Sequence, residues 1–331
     1  MGPPKIEGKV VLTGASGFIG GRLRDRLLAD GADVVSIRRK GSPPSKSGRS
    51  VELDYDDLPG LEALFSEERP RFVIHVAGAT KGVTYEDFRK ANVMPTANLL
   101  KALLAKHPGV ERFTLVSSAA AFGPSAVEKP HDESSPRSPV EFYGKSKLEA
   151  EQVVEGYGDT LKWTMVRPAG VYGPGDVDYF NLFREVSKGR NVFFGNRDKW
   201  QSMIFVDDVI DAVLLATHRP EAIGKGYLLS DDKPLTWGEF QTHLVEKSGR
   251  KQMTINFPGF MVDLAAFFGE LATKIDGKPR LFNRQKAIMG AQQAWLCSPA
   301  AARRDLGFVP KVGVSDGVER TFAWYRENKW F

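Results

Sequence analysis

Short apolar runs alternate with longer amphipathic stretches along the first half of the chain. The run Lys9–Thr13 is apolar and β-branched and stops at a glycine, which predicts a buried strand. Residues 18–29 then carry apolar side chains at near-helical spacing, and Gly31 follows where a helix C-cap is expected. The same patterns predict strands at 32–37, 72–76, 113–117 and 164–166, and helices at 85–106 and 141–155.

This alternation is typical of a doubly wound parallel sheet, so the chain is predicted to be an α/β protein of the Rossmann type. The alternation of short apolar runs and amphipathic stretches becomes less regular after residue 168. Residues 170–178 are rich in glycine and aspartate and indicate a loop over a site, and residues 205–216 return to strand followed by helix. The predicted limits are 1–168, with a return segment at 201–232, for a Rossmann-type domain, and 169–200 with 233–331 for a smaller mixed α/β domain that would bind the substrate.

Composition and charge limit the kinds of partner and of cellular location that are expected for this chain. A net charge of +5 spread over 331 residues argues against nucleic-acid binding. Cys297 is the only cysteine, which excludes an intrachain disulfide and fits a reducing cytoplasm. Residues 1–8 lack the regions of a secretory signal, and the apolar stretch 257–275 is interrupted by charges, so no integral membrane segment is expected. That stretch remains a candidate amphipathic helix over a pocket or at a membrane surface.

A glycine cluster follows the first strand and opens the first helix. There, Gly14 permits a tight turn, Gly17 lets the backbone approach a pyrophosphate, and Gly20 allows helix and strand to pack closely. The helix N-terminus attracts phosphates. The cluster therefore predicts a dinucleotide site, whose residues are Gly14, Ser16, Gly17, Phe18, Ile19 and Gly20.

Tyr143 and Lys147 are four residues apart in a predicted helix and so share one face. An ammonium group beside a phenol stabilises the phenolate and lowers its pKa from about 10 toward neutrality. Such a tyrosine exchanges a proton with a substrate hydroxyl or carbonyl. Ser117 and Ser118 lie upstream and offer hydroxyl groups. The pattern predicts acid–base chemistry on an alcohol or carbonyl.

The Gly-x2-Gly-x2-Gly spacing and the Tyr-x3-Lys pair resemble the short-chain dehydrogenase/reductase superfamily. The Gly-Phe-Ile-Gly ending resembles its extended branch, the NAD-dependent epimerase/dehydratase family. The resemblance covers nearly the whole chain, in order. Its further segments are Ala77-Gly78-Ala79, Asn92, 117–123, 167–176, 205–209, Leu306-Gly307-Phe308 and Trp324-Tyr325.

The resemblance implies a role for each matching residue. Tyr143 would be the general acid/base, and Lys147 would lower its pKa and hold the nicotinamide ribose. Ser118 would polarise the reacting oxygen, because it lies 25 residues before Tyr143 and five before Gly123. The family also implies a homodimer through helices near 85–106 and 142–156. The further cofactor contacts it implies are Asp54, Ala77, Gly78, Ala79, Asn92, Tyr143, Lys147, Pro168 and Val171.

Cofactor choice is expected at the end of the second strand, where an acid favours NAD and an arginine favours NADP. Arg38 lies 24 residues after Gly14, in the position where NAD-using relatives carry aspartate, and Arg39 follows it. A guanidinium can pair with the 2′-phosphate in bidentate fashion. The sequence therefore predicts NADP as the preferred cofactor, with NAD possible. Residues 39–49 are predicted to form a flexible basic loop.

Two substrate classes compete within the family. Nucleotide-sugar enzymes carry arginines at positions that correspond here to Gln201 and to the segment 293–298, which have none. The carboxyl region instead resembles the 3β-hydroxysteroid dehydrogenase and dihydroflavonol reductase branch, through 258–260 and 278–284. Aromatic residues would suit an apolar pocket. They are Phe260, Phe267, Phe268 and Trp295.

The function expected from these residues is hydride transfer between NAD(P) and a small-molecule secondary alcohol or ketone, or aldehyde. The alternatives are a nucleotide-sugar epimerase or dehydratase with tightly bound NAD, and a non-catalytic NADP sensor. The sensor is disfavoured because Ser118, Tyr143 and Lys147 are all present. The five histidines show no metal-ligand spacing, so no metal site is expected, and His75 is expected in the core.

Overall fold

The apolar runs of the sequence become strands, most of them in one parallel sheet. The computed structural model describes residues 4–42, 47–259 and 284–331, together with 261, 264, 269 and 273. The strands of this part of the chain are β1 (Lys9–Thr13), β2 (Asp33–Arg38), β3 (Arg49–Glu52), β4 (Phe72–His75), β5 (Arg112–Val116), β6 (Trp163–Pro168), β7 (Gly170–Tyr172), β8 (Arg190–Phe194), β9 (Trp200–Gln201), β10 (Met203–Phe205), β11 (Lys225–Leu229), β12 (Leu235–Thr236), β13 (Met253–Phe257) and β14 (Ala294–Trp295).

Helices connect these strands. They are α1 (Phe18–Ala29), α2 (Leu58–Glu68), α3 (Tyr85–Phe88), α4 (Met94–Lys106), α5 (Phe142–Glu155), α6 (Phe180–Ser187), α7 (Val206–His218), α8 (Trp237–Ser248), α9 (Arg284–Ala291), α10 (Ala300–Leu306) and α11 (Val314–Glu327). A π-helical turn, Arg89–Val93, joins α3 to α4. The predicted helix over 85–106 is therefore present but contains this wider turn.

Seven parallel strands form the central sheet, in the order β11-β6-β5-β4-β1-β2-β3. The chain order reverses between β1 and β4, and ligands of such sheets bind at the carboxyl ends of strands flanking this point. Both faces are covered. Val11 packs among α2, α4 and α5, whereas Val10 and Leu12 pack among α1 and α7. The predicted doubly wound Rossmann-type α/β fold is confirmed.

Smaller sheets follow in the second half of the chain. Strand β10 pairs with β7, β13 pairs with β8, and β9 lies between β12 and β14. Only the β9–β12 pair is antiparallel among these pairings. The prediction of a mixed carboxyl-terminal α/β region is thus confirmed, although the stretch 170–178, predicted as a loop, begins with the short strand β7.

Two edge strands of the central sheet were not predicted. The stretch 39–49 was expected to be a loop, yet Arg49 begins β3 on one edge, and β11 forms the other edge. In the part of the chain that is described, no helix is long and apolar enough to span a bilayer.

Candidate active site

The predicted site residues converge on the carboxyl edge of the central sheet. The glycine turn follows β1, Arg38 ends β2, and residues 77–79 follow β4. Ser118 lies just beyond β5, and Pro168 ends β6. Helix α5 crosses this edge and presents Tyr143 and Lys147. The carboxyl edge of the sheet, here called the cleft, therefore carries site residues from five neighbouring parallel strands and one helix.

The glycine turn has the shape expected for close approach of a phosphate. Gly14 has a φ of +73°, and a Cβ there would lie 2.7 Å from the Ala77 backbone nitrogen. A Cβ on Gly20 would overlap the Gly14 carbonyl oxygen. Ser16 and Gly17 are exposed at the start of α1, where Gly17 provides no side-chain cap. The N-terminus of α1 therefore has no side-chain cap, and the exposed turn before it fits a pyrophosphate group.

Asn92 holds the loop at residues 77–79. Its Oδ1 accepts a hydrogen bond from the Ala79 N–H at 2.7 Å, and its Nδ2 donates to the Ala79 carbonyl at 3.1 Å. Nδ2 also donates to the Ser146 hydroxyl at 2.8 Å. A Cβ on Gly78 would lie 2.8 Å from Asn92 Oδ1. The amide is buried and committed to these partners, so Asn92 acts on the cleft through the loop that it fixes.

The two neighbouring serines have different environments. The Ser117 hydroxyl is buried and donates to Glu151 Oε1 at 2.5 Å. Ser118 instead begins a 3₁₀ turn, where its hydroxyl accepts from the Ala120 N–H at 3.2 Å and lies near enough to the Tyr143 phenol to lower its pKa. Ser117 is therefore committed to Glu151, and the choice of Ser118 as the residue that polarises the reacting oxygen stays a prediction.

Helix α5 begins where it can press against that turn. Its N-cap residue Glu141 accepts a hydrogen bond from the Gly144 N–H at 2.7 Å. A Cβ on Gly144 would overlap the carbonyl of Ala120, so only glycine allows this approach. Lys147, one turn further along, donates from Nζ to the Val116 carbonyl at 2.8 Å. Tyr143 and Lys147 thus lie on one face of α5, beside the end of β5.

The pKa of Tyr143 differs from the sequence expectation. Burial raises this pKa to about 12, and hydrogen bonding with Ser118 offsets only part of the increase. Burial lowers the pKa of Lys147 to about 8, against the opposing effect of Glu151. The Tyr143 pKa is therefore raised overall, and the net lowering expected from the sequence is not found in this structure. The ammonium is directed to the Val116 carbonyl, and desolvation dominates at the phenol.

At the other end of the cleft, Arg38 is already partnered. It forms an ion pair with Glu52 on β3 and donates to the Ser42 carbonyl at 3.0 Å. Arg39 is exposed, and Asp54 is exposed with its carboxylate accepting from the Lys40 N–H at 3.2 Å. Arg38 and Arg39 lie where a ribose-phosphate group would follow the glycine turn. Any anion binding at Arg38 must therefore compete with Glu52.

A loop lies over the remaining side of the cleft, between the two ends. Val171 lies in β7, and the loop that follows brings Gly175 near Phe18 of α1. Asp176 fixes this loop because its carboxylate accepts from the N–H groups of residues 178 and 179 at 2.8 and 2.9 Å. Burial raises the Asp176 pKa to about 6. An ion pair of 3.0 Å between Asp178 and Lys81 joins the loop to the opposite side.

Three features of this edge were not found from the sequence. Glu151 lies one further turn along the face that carries Tyr143 and Lys147, so extending the i, i+4 argument would have identified it. The pairing of Arg38 with Glu52 depends on strand register. The Lys81–Asp178 pair joins two loops distant in the sequence, and no local pattern indicates it.

Other expected features are located as follows. His75 is buried between Thr13 and Thr96, at 2.6 and 3.1 Å, and burial lowers its pKa to about 3. The described ranges contain no group of three or more His, Cys, Asp or Glu residues suited to a metal ion. Gln201 lies in β9, and the Trp295 indole donates to the Met289 carbonyl at 3.2 Å. Phe260, Phe267, Phe268 and residues 278–283 lie outside the described residues.

Comparison with known proteins agrees with this architecture. Ceramide reductase of Caulobacter vibrioides is 30% identical over 98% of this chain and 96% of its own length. The 3β-hydroxysteroid dehydrogenase of Mycolicibacterium neoaurum is 28% identical over 99% of this chain and 94% of its own. The structure of UDP-glucose 4-epimerase from Thermotoga maritima with UDP-glucose has a TM-score of 0.81, at 23% identity, over 97% of this chain and 99% of that one.

The family profile covers more than half of the chain. Residues 10–229 match the NAD dependent epimerase/dehydratase family, from the second residue of β1 to the end of β11. This span contains the glycine turn, Ser118, Tyr143 and Lys147. The chain therefore belongs to the NAD dependent epimerase/dehydratase family of enzymes.

Proposed function

We propose that this enzyme is an NADP-preferring oxidoreductase that interconverts a secondary alcohol and a ketone or aldehyde. The observation that carries the proposal is the convergence of Ser118, Tyr143 and Lys147. Gly144 packs α5 against the turn that Ser118 begins, and Lys147 donates to the Val116 carbonyl from the helix face that also carries Tyr143. The full-length similarity to a ceramide reductase and a 3β-hydroxysteroid dehydrogenase supports this reaction class. A bound NADP(H) would accept or supply the hydride.

The residues favour the direction of carbonyl reduction. With a pKa of about 12, Tyr143 is protonated at neutral pH and can donate its proton to a carbonyl oxygen. Ser118 can donate a second hydrogen bond to that oxygen. Lys147, with a pKa of about 8, is charged at neutral pH and favours the phenolate that forms as the proton leaves.

Arg38 supports the preference for NADP. It ends β2, next to the glycine turn, and neither it nor Arg39 is an acid that would repel a 2′-phosphate. A phosphate is doubly charged and can replace Glu52 at the guanidinium, which binds phosphate oxygens in bidentate fashion. The preference for NADP then depends on how much more strongly Arg38 binds the 2′-phosphate than it binds Glu52.

The second candidate is a nucleotide-sugar epimerase that retains its NAD. Its support is the similarity in fold to the UDP-glucose 4-epimerase of Thermotoga maritima. Against it, Gln201 and residues 293–298 lack the arginines expected to bind a substrate diphosphate. This candidate predicts NAD that co-purifies with the enzyme and no net turnover of cofactor.

We further propose that the enzyme is a homodimer through α3–α4 and α5. Tyr85, Pro139, Phe142 and Leu148 line a hollow of about 470 Å³ on this surface. A second copy of the chain would cover it. Light scattering coupled to size exclusion should give a mass near twice the 36.6 kDa chain, and a monomer would contradict the proposal.

The central experiment is a fluorescence titration of the purified enzyme with NADPH and NADH. The variant is Arg38→Asp, and the control is Arg219→Asp, an exposed arginine at the end of α7 near the opposite edge of the sheet. We expect NADPH to bind about tenfold more tightly than NADH in the wild type and the control, and this preference to vanish in Arg38→Asp. Tighter NADH binding, or bound NAD that does not exchange, would favour the epimerase.

A further inference from the structure

A buried carboxylate lies directly behind the proposed catalytic residues. The side chain of Glu151 is fully buried in α5, one turn beyond Lys147. Each of its oxygens has two partners. Oε1 accepts from the Ser117 hydroxyl at 2.5 Å and from Arg167 Nε at 3.0 Å. Oε2 accepts from Arg167 Nη2 at 3.0 Å and from Arg137 Nη1 at 2.7 Å. A buried charge is tolerated only with such complete pairing.

The partners of Glu151 come from three separate segments. Ser117 follows the end of β5, Arg167 lies next to the end of β6, and Arg137 belongs to the connection that leads into α5. One carboxylate therefore ties the ends of two central strands to the helix that presents Tyr143. These strand ends lead directly into Ser118 and Pro168, both at the cleft edge.

Lys147 and Glu151 hold consecutive residues of the same strand end. Lys147 donates to the Val116 carbonyl at 2.8 Å, and Glu151 accepts from the neighbouring Ser117 hydroxyl. The next residue is Ser118. The two successive turns of α5 thus leave little freedom for Ser118 to move along the helix or away from Tyr143, and catalytic geometry is sensitive to shifts of this kind.

We propose that Glu151 is a positioning residue, which fixes Ser118 relative to Tyr143 and supplies the negative charge that keeps Lys147 protonated in a buried site. This inference rests on the proposed acid–base function of Tyr143. It adds to that function a residue that touches neither substrate nor cofactor.

The electrostatic part follows from the groups around Lys147. On α5 these are Tyr143, which is neutral at ordinary pH, and Glu151, which opposes the effect of burial on the Lys147 pKa. On β4, His75 is neutral because its pKa is about 3. From β5 the partner is the Val116 carbonyl. Among these groups Glu151 carries the negative charge, so its removal should make Lys147 lose its proton more readily.

The test is substitution of Glu151 in the full chain, with two variants and a matched control. Glu151→Gln removes the charge and nearly preserves the shape, whereas Glu151→Asp keeps the charge but withdraws it from Ser117. The matched control is Glu155→Gln, one turn further along α5. Glu155 also pairs with Arg137, at 2.8 Å, but is partly exposed.

The first readout does not need a substrate. The protein is labelled with carbon-13 in lysine side chains, and the Lys147 signal is assigned by its absence in Lys147→Arg. In Glu151→Gln the titration midpoint of Lys147 should fall by about one pH unit, and in Glu151→Asp and Glu155→Gln it should stay near that of the wild type. An unchanged midpoint in folded Glu151→Gln would overturn the electrostatic part of the proposal.

The second readout is kcat for reduction of a carbonyl substrate at pH 7. Both Glu151 variants should lose about tenfold in kcat, with KM for NADPH within about twofold of the wild type. Equal losses in Glu155→Gln would indicate a general structural effect and overturn the positioning role. If the wild type reduces no carbonyl compound, the proposed function fails, and the Lys147 titration still decides the electrostatic role of Glu151.

Ser117→Ala decides the positioning role if Glu151→Gln does not fold. This variant removes only the hydroxyl that joins Glu151 to β5 and leaves both arginine pairs in place. We expect kcat to fall about threefold to fivefold, with the Lys147 midpoint unchanged. A kcat equal to that of the wild type would overturn the positioning role.

Discussion

The two ends of the carboxyl edge of the sheet are built in opposite ways. At the α5 end, Asn92, Lys147 and Glu151 are at most 5% exposed, and each makes hydrogen bonds within the protein. At the β2 end, Arg39 and Asp54 are exposed, and Arg38 is held by an ion pair to the partly exposed Glu52. One end is fixed before any ligand arrives. The other can exchange its partners.

This difference matches two different tasks. Acid–base chemistry requires groups held at fixed distance and shielded from water, because electrostatic interactions are stronger there. Discrimination between cofactors needs only a difference in binding free energy, which exposed charges can provide. We therefore expect substitutions at the α5 end to change kcat by large factors, and substitutions at the β2 end to change cofactor affinity by small ones.

The largest effect should come from Tyr143→Phe. Loss of the phenol proton should lower kcat for carbonyl reduction about a thousandfold, while NADPH binding changes little because the ring is kept. Steady-state rates and fluorescence titration measure the two quantities. Tyr85→Phe is the control, since this nearby phenol donates to Glu149 at 2.6 Å and lies outside the proposed chemistry. Substantial turnover in Tyr143→Phe would place the proton donor elsewhere.

Two glycine-to-alanine substitutions test how tightly the glycine turn between the two ends is packed. Gly14→Ala combines a φ of +73° with an overlap against the Ala77 backbone, and should lower the free energy of unfolding by about 3 kcal/mol. Gly31→Ala has a similar φ of +92° but meets nothing within 4 Å, and should cost about 1 kcal/mol. Denaturant unfolding measures both. Equal losses would mean that the turn relaxes around the added methyl group.

The two ends should also respond differently to pH. The kcat for reduction should be level below pH 8 and fall as the pH rises through about 8, because Lys147 loses its proton there while Tyr143, with a pKa of about 12, keeps its own. Beyond this point the fall should be about tenfold per pH unit. The preference for NADPH over NADH should stay constant between pH 7 and 9, since arginine does not titrate in this range and any effect of Lys147 on the nicotinamide ribose is common to both cofactors.

A lysine-to-arginine change separates Lys147 from other titrating groups. In Lys147→Arg the side chain stays charged, so whatever activity remains should show no decline near pH 8. A decline at the same pH in this variant would assign it to another group. A decline in the preference for NADPH over NADH across the same pH range would contradict the proposed division between the two ends.

Prediction from the sequence also differed between the two ends. The strands β1, β4, β5 and β6 are fully or almost fully buried, so their apolar runs could be recognised as strands in the sequence. The edge strand β3 is half exposed, with the sequence Arg-Ser-Val-Glu, and resembled a loop. Local spacing similarly identified Tyr143 and Lys147, because a helix places them on one face.

The burial and the partners of charged residues were harder to predict from the sequence. Glu151 was not identified from the sequence, since the default expectation for a helical glutamate is exposure. Only the folded chain shows that Arg137 and Arg167 meet at its carboxylate. The partner of Arg38 depends on the register between β2 and β3, which the alternation of apolar residues does not specify for an exposed edge.

The smallest predicted effect concerns Glu52, the partner of Arg38, and tests the difference between the two ends most directly. Glu52→Gln removes the carboxylate that competes for Arg38, so NADPH should bind about threefold more tightly, in line with the modest strength of exposed ion pairs. NADH affinity should not change. The control is Glu67→Gln, which removes an exposed acid that pairs with Arg49 at 3.6 Å instead. The gain should shrink at high salt. Equal gains for NADPH and NADH would instead indicate a general change in surface charge, and Arg38 would lose its proposed role in selecting the cofactor.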